Sequence, residues 1–254
     1  RQYISEENFL ALPTIRTVGF PDVKVIGGDE LIDLLSQSYD EVGMDETMVI
    51  CRSNKRANIY NNGIRNRILF REEELEPGDM LMVAKNNYFW TEQSKETDFI
   101  ANGDIAVVRR FRRERELYGF RFADVLLRFP DYNDLELEVK LLLDTLHTDT
   151  PALPKEMGDR LYQSVMEDYA DITIKRERMK KLKADPQYNA LQVKYAYAVT
   201  CHKAQGGQWK RVFLDQGYMT EEMLSPDYFR WLYTAFTRAT ETLYLVNWPK
   251  EQTE

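Results

Sequence analysis

The residues best suited to chemistry in this sequence lie in one short segment, "AYAVTCHKAQGGQWKRVFLD", at positions 196–215. An apolar run stops at Thr200. Cys201, His202, Lys203 and Gln205 follow at once, then Gly206-Gly207, Gln208 and a second apolar run. Hydroxyl, imidazole, ammonium and amide groups placed between two buried segments are donors suited to phosphates. They do not make a nucleophile with its base, because no histidine–carboxylate pairing is near in sequence. In a parallel sheet, ligands bind beyond the carboxyl ends of the strands, where loop and helix N–H groups point outward. A strand ending at Thr200 and leading into a helix start would put the cluster there. The two glycines let the backbone approach a ligand closely, or simply turn the chain. On spacing alone a ligand site and a capped loop both remain open.

Two further clusters have a similar layout. "YTAFTRA" puts Arg238 at the end of an aromatic-rich helix, just ahead of a strand, while Trp231, Tyr233 and Phe236 can serve the core. A lone arginine there also fits a cation complementing the helix macrodipole. "CRSNKR" places Arg52, Ser53, Asn54 and Lys55 directly after the β-rich run "TMVIC", with Ser53 or Asn54 as a helix cap. Three such clusters after or between the strands of one domain predict a shared binding edge.

The elements that must position these residues read as α/β. "VKVI" is a strand, Gly27-Gly28-Asp29 a turn, and "ELIDLLSQSY" a helix with Leu31, Leu34 and Leu35 on one face. Strand, polar turn and helix then repeat, the pattern of a parallel sheet. From about Pro77 the runs are β-rich, with Asn102-Gly103 a tight-hairpin signal. Pro151 and Pro154 end that region near residue 145, and Arg160 to Lys183 reads as one or two helices. The α/β texture returns with "VKYAYAVT" as one strand, "RVFLD" as another, the helix "DYFRWLYTAFTRA", and "TLYLVN" as a final strand. The expected organisation is an α/β domain of residues 1–77 and 188–254, interrupted by a β-rich insert with a basic helical segment at 78–187.

Composition narrows the function classes. At 254 residues the chain is long enough for two domains. No run approaches the length of a membrane span, and "RQYISEENFL" lacks a signal-peptide layout, so a cytoplasmic protein is expected with no membrane partner. Cys51 and Cys201 are the only cysteines and His147 and His202 the only histidines, which disfavours a disulfide framework and a metal cluster alike. A formal charge of -8 argues against nonspecific nucleic-acid binding by the chain as a whole, but leaves room for a local basic track. Arg109–Arg115 and Lys175–Lys183 are the two basic stretches, and a solvated charged face is the plainer reading of each.

"VTCHKAQGGQW" followed by "WLYTAFTRATETLYLV" resembles motifs V and VI of superfamily 1 helicases. Within that superfamily it is most similar to the RecD/Dda-like branch, which resembles the alpha subunit of exodeoxyribonuclease V. "VICRSNKRAN" is similar to the motif IV region, and "GDMLMVAKNNY…FIANGDIAVV" to the hairpin region inserted in the branch's second motor domain. The resemblance runs from about residue 20 and implies a fold: a second RecA-like domain, a parallel sheet of the P-loop NTPase type, carrying an SH3-like insert. It implies the C-terminal half of an ATP-dependent DNA helicase that moves 5′ to 3′ on single-stranded DNA in repair or recombination. By the same resemblance Arg238 would reach the γ-phosphate, and Gln205, Gly206 and Gln208 would line the nucleotide. Thr200 and His202 would face the DNA strand, with Ser53, Asn54 and Lys55 as further phosphate contacts. Lys85, Asn86 and Tyr88 are either neighbours of the strand or hairpin packing.

Two departures matter. Many relatives carry Glu where this chain has Gln208, which can hydrogen-bond a ribose hydroxyl but is no anionic acceptor. No G-x-x-x-x-G-K-[ST] phosphate loop occurs, nor an acidic pair for Mg²⁺ on a strand. The family keeps these in a first motor domain, and this chain begins at Arg1 without a methionine, as one cut from a longer chain would. The implied cofactors are ATP and Mg²⁺. The implied partners are single-stranded DNA, the missing N-terminal RecA-like domain and nuclease subunits. The chain alone would be inactive, and Arg1 is a candidate for a further arginine near the motor junction. The alternative is a noncatalytic module binding single-stranded nucleic acid through the insert and the basic stretches. A third option is a protein-interaction domain with a degenerate motor fold.

Overall fold

Alternating apolar runs and capped helices resolve into two units in a computed structural model, which describes residues 12–92 and 94–254. Arg1 lies outside the described residues. In chain order the elements are β1 (Val23–Ile26), α1 (Leu31–Val42), β2 (Thr47–Cys51), α2 (Asn54–Arg67), β3 (Met80–Val83), β4 (Ile105–Leu117), β5 (Phe120–Phe129) and β6 (Leu135–Leu142). They continue as α3 (Lys155–Asp168), α4 (Lys175–Lys183), β7 (Leu191–Tyr195), β8 (Ala198–Thr200), β9 (Trp209–Asp215), α5 (Pro226–Phe236) and β10 (Ala239–Val246). The first unit comprises the chain through Glu72 together with Tyr197–Glu254, and the second is Glu73–Ala196. The α/β domain interrupted by a small β-rich insert, expected from the sequence, is what folds.

In the first unit the sheet order is β1-β10-β9-β2-β8, and every pairing is parallel. All five residues of β2 are buried, as a central strand covered on both faces requires. Ser53 caps α2 by accepting from Arg56 N at 3.2 Å, and Ser225 caps α5 by accepting from Tyr228 N at 3.3 Å. Pro226 opens α5, where its missing N–H costs nothing. Right-handed crossovers fix the layers. The connections β1–α1–β2 and β2–α2–β8 advance along the sheet in one direction and put α1 and α2 on one face. The connection β9–α5–β10 runs back and puts α5 on the other.

The second unit closes as a barrel, β3-β4-β5-β6-β7, antiparallel except for the β6–β7 pair. Phe120, Phe122 and Leu142 on the strands pack against Leu161 and Val165 of α3 and Leu182 of α4. The basic strand β4 is charge-paired across the sheet: Arg109 with Glu136, Arg112 with Glu138, and Arg113 with Asp124. The solvated-face reading therefore holds for that stretch.

One expectation needs correction. "VKYAYAVT" is not a single strand of the α/β domain. Ala196 N donates to Met80 O at 2.9 Å, while Tyr197 N donates to Asn61 Oδ1 at 3.0 Å, so the backbone changes partners between adjacent residues. β7 belongs to the barrel and β8 to the parallel sheet. The boundaries fall at Glu72/Glu73 and Ala196/Tyr197 in place of the expected 77/78 and 187/188.

Asn61 holds that return point. It is 2% exposed, accepts from Tyr197 N and from Ala198 N at 2.8 Å, and donates to Ala198 O at 2.9 Å. Asn61→Ala would strand three buried backbone groups and is expected to cost about 3 kcal/mol. The readout is a lower urea midpoint at unchanged slope; a loss below about 0.5 kcal/mol would refute this role for the side chain.

Candidate functional site

The strand registers set the site. Cys51 pairs with Thr200 of β8 on one side and Asp215 of β9 on the other, so three strands end in one row. Ser53, Asn54 and Lys55 leave this carboxyl edge together with Thr200 and His202. Thr200 and Asn54 are half-buried, and Ser53, Lys55 and His202 are exposed. The Ser53 hydroxyl is already occupied as the cap of α2. Arg52 lies over the Tyr228 ring at 6.0 Å and donates to Met219 Sδ.

Sequence reading missed the carboxylate that organises this edge. Asp215 is 2% exposed and receives Arg56 Nε and Nη2 at 2.5 Å, the Tyr60 hydroxyl, and Gly217 N at 2.7 Å. Burial, and then the bond to Asp215, push the Tyr60 hydroxyl well above its ordinary value, so it stays a neutral donor. An aspartate closing the apolar run "RVFLD" was the available signal. Tyr218, 81% exposed just beyond, had none.

After Thr200 the chain makes two successive hydrogen-bonded turns, not the expected helix. Lys203 N and Ala204 N donate to Thr200 O at 2.9 and 3.0 Å, and Gly207 N donates to Ala204 O at 3.2 Å. Gly206 sits at φ +87°, where an L side chain would be strained. At Gly207 the constraint is space: a Cβ would stand 2.5 Å from the Trp209 ring. Cys201 is buried beneath the turn, its Sγ 3.5 Å from Trp231 O. Burial pushes its thiol up to about 11, with Arg238 pulling the other way, and pushes Cys51 up to about 12. Burial also lowers the Lys203 ammonium from its ordinary value.

Arg238 meets the far end of this turn. Its Nη1 donates to Gly207 O at 2.9 Å, its Nε to Thr234 O at 3.0 Å, and its Nη2 to Thr237 Oγ1 at 3.0 Å. The bond to Thr234 O is the helix-end role foreseen for a lone arginine; the bond to Gly207 O is not. Two of its five N–H groups keep no partner among the described residues. Gln205, Gly206 and Gln208 are exposed, and their backbone N–H groups likewise meet no acceptor among the described residues. Ala239 pairs with Trp209, so Arg238 and Gln208 stand at the amino edge of the sheet. The expected single shared edge is corrected: Ser53, Asn54, Lys55, Thr200 and His202 lie at one edge, Gln208 and Arg238 at the other, and the turn joins them. The free donors at the amino edge suit an anionic nucleotide. Among the described residues no group of three His, Cys, Asp or Glu side chains converges as a metal site.

Residues 195–246, spanning the turn, α5 and β10, match the model of the UvrD-like helicase C-terminal domain. No curated protein matches the sequence. Among solved structures the chain is similar to the Pif1 helicase from Bacteroides in complex with ADP-AlF3 and ssDNA. Identity is 15%, the TM-score 0.43, and the match covers 89% of this chain and 47% of that one. It is also similar to the Pif1 helicase from Candida albicans, at 12% identity and TM-score 0.39, covering 89% of this chain and 55% of that one. The chain thus spans about half the length of the structures it matches. Among the described residues no helix is long and apolar enough to cross a membrane.

With both thiols pushed up, thiolate at pH 8 is on the order of 0.1% or less. Ellman's reagent at that pH is expected to leave Cys51 and Cys201 unreacted over minutes in the folded chain and to titrate both in guanidinium. Rapid reaction of one equivalent in the folded chain would show that the turn does not bury Cys201.

Proposed function

We propose that the chain is the second motor half of an ATP-dependent DNA helicase of superfamily 1, of the RecD/Dda-like kind, moving 5′ to 3′ on single-stranded DNA in repair or recombination. The observation that carries this reading is the bond from Arg238 to Gly207 O. It fastens the arginine to one end of a turn whose other end bears Thr200 and His202. The match to the UvrD-like helicase C-terminal domain over 195–246, which includes these residues, supports the reading; strand polarity and pathway rest on the motif resemblance alone.

Arg238 would stabilise charge spreading over phosphoryl oxygens, a task suited to a planar, delocalised cation. Its three bonds to Thr234, Thr237 and Gly207 hold the guanidinium in place, and its two free N–H groups are available for the phosphate. Gln205 and Gly206 would offer backbone donors to the nucleotide, and Gln208 a hydrogen bond to a ribose hydroxyl. Thr200 and His202 would donate to the backbone of the strand, with Asn54 and Lys55 beside them and Ser53 contributing through the cap it makes. Mg²⁺ would arrive with the nucleotide, and its protein ligands, with the phosphate loop this sequence lacks, would come from another motor domain. The rival reading is a noncatalytic module binding through the insert and the two basic stretches; in one of these, Arg109–Arg115, three arginines are already paired with carboxylates.

In the longer protein carrying a phosphate loop, Arg238→Ala is expected to lower DNA-stimulated ATP hydrolysis by about 1000-fold while DNA affinity stays within about threefold. The 254-residue chain alone should show no steady-state hydrolysis at a helicase's rate. Hydrolysis that survives Arg238→Ala, or brisk turnover by this chain alone, defeats the proposal.

A further inference from the structure

The insert carries a surface that the motor chemistry does not use. Helix α4 presents Lys175, Arg176, Lys180, Lys181 and Lys183 to solvent, and none of them forms an ion pair among the described residues. β4 differs, since three of its five arginines meet carboxylates across the sheet. Arg176, Lys180 and Lys183 are spaced i, i+4 and i+7, so they form one stripe with neighbours about 5–6 Å apart.

That stripe ends at a groove of about 900 Å³ whose lining includes Lys183. Four aromatic side chains, Tyr88, Phe89, Tyr162 and Tyr188, are part of its wall. Tyr88 is 62% exposed and stacks on Phe99 at 5.1 Å; Tyr188 is 38% exposed and meets Tyr162 edge-on at 6.2 Å. The wall is held in place before any ligand arrives. Asn189 O accepts from both Asn87 Nδ2 at 2.9 Å and Trp90 Nε1 at 2.8 Å, while Asn189 Nδ2 ties back to Lys183 O and Asp185 O. Asn87 Oδ1 in turn accepts from Phe89 N, which fixes the bend that turns Tyr88 outward. Within the groove Lys85, Lys155 and Lys183 are partly offset by Glu92 and Asp159. The floor is therefore close to neutral, and the excess positive charge lies along α4.

A near-neutral aromatic groove beside an uncompensated cationic stripe fits one kind of ligand well: flat, uncharged rings strung on an anionic backbone. We propose that this surface of the insert is a second binding site for single-stranded nucleic acid, with bases stacking on Tyr88 and Tyr188 and phosphates following Arg176, Lys180 and Lys183. The source of the strand rests on the helicase reading; the site itself does not. An acidic peptide would satisfy α4 but would leave the exposed tyrosine faces without a purpose.

The test is fluorescence anisotropy of a labelled 20-nucleotide oligo(dT) with the 254-residue chain between 50 and 200 mM salt (about the range where phosphate contacts register). The joint change Arg176→Gln, Lys180→Gln, Lys183→Gln should flatten the salt dependence by about 2 in log–log slope. Tyr88→Ala with Tyr188→Ala should weaken binding at least about tenfold, and Tyr88→Phe with Tyr188→Phe should restore it, since stacking needs the ring and not the hydroxyl. Iodouracil-substituted oligonucleotide on the unaltered chain should crosslink at Tyr88 or Tyr188, which decides the matter even where a variant misfolds. Groove variants that bind as the parent does, with Thr200→Ala and His202→Ala carrying the whole loss, would overturn this site and leave the motor reading standing. Loss in the groove variants together with full hydrolysis in Arg238→Ala would do the reverse. Equal competition by polyglutamate, indifferent to the tyrosines, would assign the surface to an acidic protein partner and sink the proposal.

Discussion

The β8–β9 connection has eight residues in which to leave the carboxyl edge of the sheet, pass over β2 and begin again at the amino edge. Thr200 and Asp215 share a row through Cys51, and Trp209 lies six residues below Asp215. Two hydrogen-bonded turns take up most of the connection, Ala204 N returning to Thr200 O and Gly207 N to Ala204 O. The polar cluster begins like a helix and stops, with Gly206 at φ +87° and the close-packed Gly207 where the path changes direction.

The connection is short, so few residues separate Thr200 and His202 at one edge from Gly207 at the other. Gly207 O is held by Arg238, which is in turn anchored to the last turn of α5 through Thr234 O. Right-handed crossovers put α5 and this connection on the same face. The proximity of motif and arginine thus follows from strand order, 2-8 to one side of β9 and 10-1 to the other, rather than from any local sequence preference.

What could be read in the sequence was whatever depends on neighbours along the chain. Strands, the helix cap offered at Ser53 or Asn54, the change of texture near Pro77 and the clusters at Thr200 and Arg238 all carry local signals. What could not be read depends on partners far away. "VKYAYAVT" looks like one strand because its apolar pattern is continuous, and only Met80 and Asn61, remote in sequence, divide it at Ala196. Asp215 looks like a strand end because Arg56 and Tyr60, which make it an organising group, are over 150 residues distant. The separation of the clusters onto two edges was hidden for the same reason: spacing tells that a residue follows a strand, not which end of the neighbouring strand it faces.

The same distinction governs the charge. A chain of net -8 is an unpromising ligand for a polyanion if charges are only counted. In the fold, many carboxylates are spent on nearby cations: Glu136, Glu138 and Asp124 on β4 and Lys140, Glu74 on Arg121, Asp134 on Arg128, and Asp215 on Arg56. Each such pair is close to neutral from a distance and is further screened by salt. The two basic stretches, both strongly cationic in sequence, therefore differ in their fields. Three arginines of residues 109–115 reach acids on β5 and β6, whereas α4 packs through Leu182 and Met179 and its exposed Lys175, Arg176, Lys180, Lys181 and Lys183 form no ion pair among the described residues. Partner geometry, more than composition, decides which cations remain available to a phosphate.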